Sequence, residues 1–333
     1  MFTINTKRNI ALFTLLLLLT ICLVRLLLAI QTVRSLVAEG EGLGYAAPNT
    51  YRAVLISQEA NNPYWKAVEN GARDAAARGG WSLQYVGPQR IDPEEQLRLL
   101  EKAIASRADA VLLQGTGDPR YRERIDEAVR SGMLVVTVDA DEPNSGRQAY
   151  VGTNNVEAGK AIGELAAAGG RQAPLRIGVL IGDERAPNQA QRLQGLRRAI
   201  AGSPDVEIVQ VASSSISRLR AASAAERMLR GDPDIDVMAG LSSLDGIGIL
   251  EAATREGMPK PLIFAFDDLP ETIEAIRGGG IAASIVQQPT RMGQLAMELA
   301  MRGAKGMPVP EYTYTDIDVL TRGELEPAEG DHP

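Results

Sequence analysis

One cysteine, Cys22, and one histidine, His332, are all that 333 residues provide of either type. An intrachain disulfide is therefore impossible. Thiolate or imidazole metal sites and any histidine-based catalytic triad lack their material, so no metal and no cofactor is expected. No G-x-G-x-x-G follows the first strand candidate and no G-x-x-x-x-G-K-[ST] occurs, which removes the usual phosphate loops of nucleotide enzymes. The Gly278-Gly279-Gly280 run lies between a helix candidate and a strand candidate, where it suits a helix stop. Aromatic residues make up only 4% of the chain. Lys and Arg number 35 and are scattered against 42 Asp and Glu, a net charge of −7, so no nucleic-acid partner is expected.

What is present begins with an apolar run. Residues 10–30, IALFTLLLLLTICLVRLLLAI, are interrupted only by Arg25 and would span about 31 Å as a helix, close to the hydrocarbon thickness of a bilayer. We expect a cytoplasmic tip at 1–9, a single-pass transmembrane helix at 10–30 and a glycine-rich tether at 31–50. Lys7 and Arg8 place the N-terminus inside by the positive-inside rule and the remainder outside the cytoplasm. The rival reading is a cleaved signal peptide, which would leave a secreted or periplasmic protein. Against it, Leu27 and Leu36 are large where a cut after Ala29 or Ala38 needs a small residue, and Thr20 and Ile21 spoil a lipobox before Cys22.

From Tyr51 onward, short apolar runs alternate with amphipathic stretches. Strands are expected at 52–57, 81–86, 110–114, 134–139, 149–152, 176–182, 206–212, 237–241, 262–267 and 282–287. Helices are expected at 63–79, 93–107, 119–131, 155–169, 188–202, 217–230, 244–256, 269–278 and 290–303. That rhythm predicts an α/β fold with parallel sheets covered on both faces, and the length suits two lobes. Ligands of such sheets sit beyond the carboxyl ends of strands. There the chain reads QEANNPYW, ADEPNS, DERAPNQAQR, SSLDG, DLP and QQP, which offers amides, carboxylates, a guanidinium and two aromatics without a nucleophile and base pair. An enzyme is not expected.

Several segments in order carry a resemblance: SQEANNPYWKAVENGARDAA, VVTVDA, VGTNNVEAGKAIGELA, QRLQGLRRAI and IFAFDDLPETIEAIRGGGIAASIVQQP. Over about residues 52–320 the chain resembles the type I periplasmic binding proteins, specifically the ribose- and galactose-binding branch. The resemblance implies two Rossmann-like lobes joined by a three-crossing hinge. They would comprise 51–153 plus 288–316 and 154–287 plus 317–327, with a disordered tail at 328–333. Hinge residues would be Thr153, Asn154, Asn155, Gln288 and Pro289, with a third crossing near 315–318.

Each candidate ligand residue also has an ordinary structural role. Asn62 before proline is common turn chemistry, yet its amide suits a sugar hydroxyl. Tyr64 and Trp65 would pack as core, yet flat rings stack on the apolar faces of sugars. Asp139 and Asp267 end apolar strands where a helix cap is usual, but a carboxylate also accepts from two vicinal hydroxyls. Arg192 opens a helix with a planar fork suited to hydroxyl or ring oxygens, and the Gln287 amide donates and accepts at once. Ser242 completes the candidate ligand set.

Three departures from the ribose-type pattern enlarge the pocket: Ala140 replaces an Arg, Ser242 and Ser243 replace Asn-Asp, and Ile216 replaces an aromatic. The expected function is that of a monomeric, extracytoplasmic carbohydrate-binding protein that closes around a small sugar and presents it to an ABC permease or a sensor kinase in the membrane. A polyol or furanone signal is the alternative ligand. A LacI-type regulator shares the lobes but needs a helix-turn-helix that residues 1–50 do not supply. Only its ligand domain, without the DNA-binding part, remains an alternative.

Overall fold

Strands of a parallel sheet covered on both faces are nearly continuous apolar runs, and AVLL, VMAG and LIFAF meet that demand, as does LVVTV apart from Thr137, whose hydroxyl donates to Asp141 Oδ1 at 2.6 Å. The computed structural model describes Arg25 and residues 51–169, 174–183, 186–255 and 257–325. The expected tip, membrane helix, tether and tail therefore lie outside the described residues, Arg25 apart. Among the described residues no helix is long and apolar enough to cross a membrane.

The elements run β1 (Arg52–Ile56), α1 (Pro63–Gly79), β2 (Ser82–Val86), α2 (Pro93–Ala105), β3 (Ala110–Leu113), α3 (Pro119–Arg130), β4 (Leu134–Val138) and β5 (Ala149–Thr153). Then follow α4 (Asn155–Gly169), β6 (Leu175–Ile181), α5 (Pro187–Ile200), β7 (Val206–Ser213), α6 (Arg218–Gly231), β8 (Val237–Gly240), α7 (Asp245–Ala253), β9 (Leu262–Phe266), α8 (Pro270–Arg277) and β10 (Ala283–Val286). The chain ends with α9 (Pro289–Ala304), β11 (Tyr312–Thr315), β12 (Asp318–Thr321) and α10 (Arg322–Leu325). Six of these helices start on proline, whose fixed φ suits a first turn and whose missing N–H costs nothing there.

Two six-stranded sheets form two lobes. The first has the order β11-β5-β4-β3-β1-β2 and is parallel throughout. The second, β12-β10-β9-β8-β6-β7, repeats that order with β12 antiparallel at its edge. The chain passes between the sheets three times: after β5, after β10 and between β11 and β12. Strands β11 and β12 were absent from the sequence expectation, because each is only four residues long and borders its sheet with little burial. Each sheet buries apolar side chains on both faces, and a fully buried side chain such as Phe266 or Leu112 contributes about 1.5–3 kcal/mol.

One helix pair in each lobe is held backbone to backbone. A Cβ on Gly71 of α1 would lie 1.8 Å from the Thr290 carbonyl oxygen of α9, and one on Gly293 would lie 1.9 Å from that of Val68. In the second lobe a Cβ on Gly159 of α4 would meet the Arg192 carbonyl oxygen at 1.8 Å, and one on Gly195 of α5 that of Val156 at 1.9 Å. These four positions admit no side chain without helix movement. The second pair fixes the backbone that carries Arg192.

Candidate functional site

The carboxyl ends of both sheets border a cleft of about 800 Å³. All eight candidate ligand residues line it: Asn62, Tyr64, Trp65, Asp139, Arg192, Ser242, Asp267 and Gln287. Their surroundings differ in ways that the sequence did not disclose.

Asp139 follows β4 with φ 67°, and it is buried. Its Oδ1 accepts from the Tyr64 hydroxyl at 3.0 Å, and its Oδ2 from Gln114 Nε2 at 2.6 Å and Asn188 Nδ2 at 3.4 Å. The last bond joins α5 of the second lobe to the first lobe. Burial pushes the Asp139 carboxyl above its usual range, while Arg192 and these donors pull it back. Burial, reinforced by the Asp139 charge, also holds the Tyr64 hydroxyl well above its ordinary value.

Asp267 follows β9 with φ 65° and keeps part of its surface in the cleft. Among the described residues one donor reaches its carboxylate, Gln287 Nε2 at 2.8 Å on Oδ1. Burial raises it to about 6, against the opposing effects of Arg192 and Gln287 and with the Asp139 charge adding to the rise. Asp139 is thus well supplied with donors from the protein, and Asp267 is the freer acceptor.

Arg192 is buried at 2% exposure, with its guanidinium carbon 3.6 Å from the centre of the Phe266 ring. Nε donates to Asn155 Oδ1 at 2.8 Å, Nη1 to the Leu241 carbonyl at 2.9 Å and Nη2 to Gln287 Oε1 at 3.1 Å. Five N–H groups are available on the fork, so two are left over. Gln287 Oε1 also accepts from Thr153 Oγ1 at 2.8 Å.

The other candidates keep their ordinary roles as well as their place in the cleft. Asn62 caps α1, its Oδ1 accepting from Tyr64 N at 3.0 Å and its amide donating to Glu59. Trp65 packs into the first lobe's core at 2% exposure, edge-on to Tyr64 with ring centres 5.9 Å apart. Ser242 is buried, and its backbone N–H donates to Asp245 Oδ2 at 2.9 Å. Among the expected hinge residues, Thr153 ends β5 and Asn155 opens α4, with Asn154 between them capping α4, its Oδ1 accepting from Glu157 N at 3.3 Å. Gln288 and Pro289 open α9, and Gln288 Nε2 reaches Asp318 Oδ2 at 3.4 Å near the third crossing.

Gln114, Asn188 and Gln189 line the cleft and were not singled out from sequence. Gln114 follows the apolar β3 directly, the same signal that drew attention to Asp139. The departures lie there too: Ala140, Ser243 and Ile216 line the cleft. Ile216 and Ser215 both have φ 51°, an uncommon conformation for any residue but glycine and a strained one for the β-branched Ile216. The buried Arg192 guanidinium pulls both Asp139 and Asp267 down against the effect of burial.

A profile described as periplasmic binding protein domain matches residues 53–308. The ribose import binding protein RbsB of Bacillus subtilis (strain 168) is 26% identical over 241 residues, covering 72% of this chain and 77% of that protein. The solved structure of GanP, a glucose-galactose binding protein from Geobacillus stearothermophilus, is 36% identical with a TM-score of 0.79, over 83% of this chain and 99% of that one. A chain of the XylFII-LytSN complex is 30% identical with a TM-score of 0.75, over 83% and 99%.

Proposed function

The chain belongs to the periplasmic binding protein domain family, a family of extracytoplasmic solute-binding proteins, and on that premise we propose that it closes around one small neutral sugar. The observation that carries this reading is the pair of strand-end carboxylates, Asp139 and Asp267, set about Arg192. Ionised oxygens accept strongly from hydroxyls, and the fork donates to ring or hydroxyl oxygens. Asp267, with one protein donor, would take most of the ligand's hydroxyl bonds. Tyr64 or Trp65 would offer a ring face, while Asn62, Ser242 and Gln287 would supply further polar contacts. The pocket opened by Ala140 and Ile216 argues against ribose itself.

The loaded protein would act as a monomer and present its sugar to a membrane partner, with 10–30 as its anchor. A sensor kinase is the second reading of that partner beside an ABC permease, and the 30% identity to a chain of the XylFII-LytSN complex favours it. The test is a thermal-shift panel of D-glucose, D-galactose, D-arabinose, D-xylose and D-ribose, with polyols and furanones as controls, on the full-length chain. A ligand at 100-fold over Kd adds about 2.7 kcal/mol to stability. A panel in which no sugar shifts the transition defeats the reading.

A further inference from the structure

Two residues that do not line the cleft hold two that do. Thr153 and Asn155 sit on the first crossing, at 1% and 2% exposure. Thr153 Oγ1 donates to Gln287 Oε1 at 2.8 Å, and Asn155 Oδ1 accepts from Arg192 Nε at 2.8 Å. Asn155 Nδ2 donates to the Thr153 carbonyl at 3.1 Å, and Arg192 Nη2 donates to Gln287 Oε1 at 3.1 Å. Four side chains from three parts of the chain thereby close one ring of hydrogen bonds, of which only Arg192 and Gln287 face the cleft.

A glutamine amide can present either its oxygen or its nitrogen, and its partners decide which. Here both acceptor sites of Oε1 meet donors and Nε2 turns to Asp267, so the amide has one orientation and one N–H left for a ligand. Arg192 is fixed likewise, by Asn155 at its Nε and by the Phe266 ring beneath it. When two lobes swing, it is the crossing residues that absorb the change in backbone angles. The aim of both cleft donors is therefore tied to the conformation of the crossing.

We propose that Thr153 and Asn155 are positioning residues that set ligand affinity through Gln287 and Arg192 without touching the ligand. This rests on the binding function argued above. The experiment is calorimetric titration of the full-length chain in detergent with whichever of D-glucose, D-galactose, D-arabinose, D-xylose and D-ribose binds it best. Thr153→Val should weaken binding about tenfold, or about 1.4 kcal/mol, with an unchanged thermal midpoint of the ligand-free chain, and Thr153→Ser should restore it. In a Gln287→Met background the same Thr153→Val change should cost almost nothing more, because the residue it acts through is gone. Wild-type affinity in Thr153→Val, or a loss of equal size in both backgrounds, overturns the proposal. Should Thr153→Val not fold, Thr153→Ala carries the same cycle.

If wild type binds none of the five sugars, the sugar reading fails and the positioning claim still meets a test. Spin labels at exposed positions 98 and 230, on a Cys22→Ser background, report the distance between lobes in the ligand-free chain. Thr153→Val should broaden that distribution, and identical distributions overturn the claim.

Discussion

Asp139 and Asp267 are counterparts in the two lobes. Each follows the third strand from its sheet's β11 or β12 edge, each lies in the left-handed region, and each donates its backbone N–H to the neighbouring strand, to the Val151 carbonyl at 3.0 Å and the Ile285 carbonyl at 2.7 Å. That conformation costs a non-glycine residue about 1–3 kcal/mol and persists only where the surroundings enforce it. Here the ladder bonds enforce it, and both carboxylates turn toward the cleft.

The counterparts are not equivalent in what they offer a ligand. Asp267→Asn should weaken sugar binding about 10- to 100-fold, in line with about 1.5–3 kcal/mol for a hydrogen bond to a charged group. Asp139→Asn should cost less in affinity and more in stability, because Tyr64, Gln114 and Asn188 lose their shared acceptor charge. Titration calorimetry and thermal melts of the two variants separate these effects, and the reverse ranking contradicts the assignment.

The Asp267 value near 6 gives both stability and affinity a pH dependence. Its pKa in the folded chain lies above its ordinary value of 3.8, so its contribution to stability is fully present below about pH 3.8 and is lost as pH rises through about 6. The ligand-free Asp267→Asn chain should therefore be the more stable at pH 7.5 and lose that advantage near pH 4. Sugar affinity should move the opposite way and rise from pH 5 to 7.5, since hydroxyls bind the ionised form. Paired melts and titrations at these pH values check both signs.

Gly159→Ala places a methyl group where the Arg192 carbonyl stands. We expect a loss of about 1–3 kcal/mol in stability, as for overpacked cores. Affinity should also fall, because the displaced backbone carries the guanidinium. Gly293→Ala, which presses on Val68, should cost similar stability with a smaller effect on binding. Chemical denaturation and titration of both distinguish the helix pairs.

Ser215 is exposed at φ 51°. Ser215→Gly should stabilise the ligand-free chain by up to about 1 kcal/mol, since glycine adopts that conformation without a Cβ penalty. An unchanged or lower midpoint in a thermal melt counts against strain at this turn.

The full-length chain should stay in the membrane pellet after a high-salt wash if 10–30 anchors it. Soluble protein whose first residue lies beyond 38, identified by mass spectrometry, would instead indicate a cleaved signal.

The sheets were legible because burial on both faces writes itself as unbroken apolar runs such as AVLL and LIFAF, punctuated by prolines at helix starts. The edge strands YTYT and DVLT were not, because exposed four-residue segments are under little compositional demand. The positions of Asp139 and Asp267 could be read as polar residues ending apolar strands. Their unequal hydrogen bonding could not, since it depends on partners such as Gln114 and Asn188, supplied by other strands and the other lobe. The Thr153 to Gln287 bond spans 134 positions and leaves no local trace in either segment.

The edge-on contact of Trp65 with Tyr64 makes the chain its own optical probe. Only two tryptophans exist, and Trp81 lies at the amino-terminal end of the first sheet, stacked on Tyr51 at 4.7 Å. Trp65 alone borders the cleft. Its emission would register what enters there, with Trp81 as a steady reference within the same molecule.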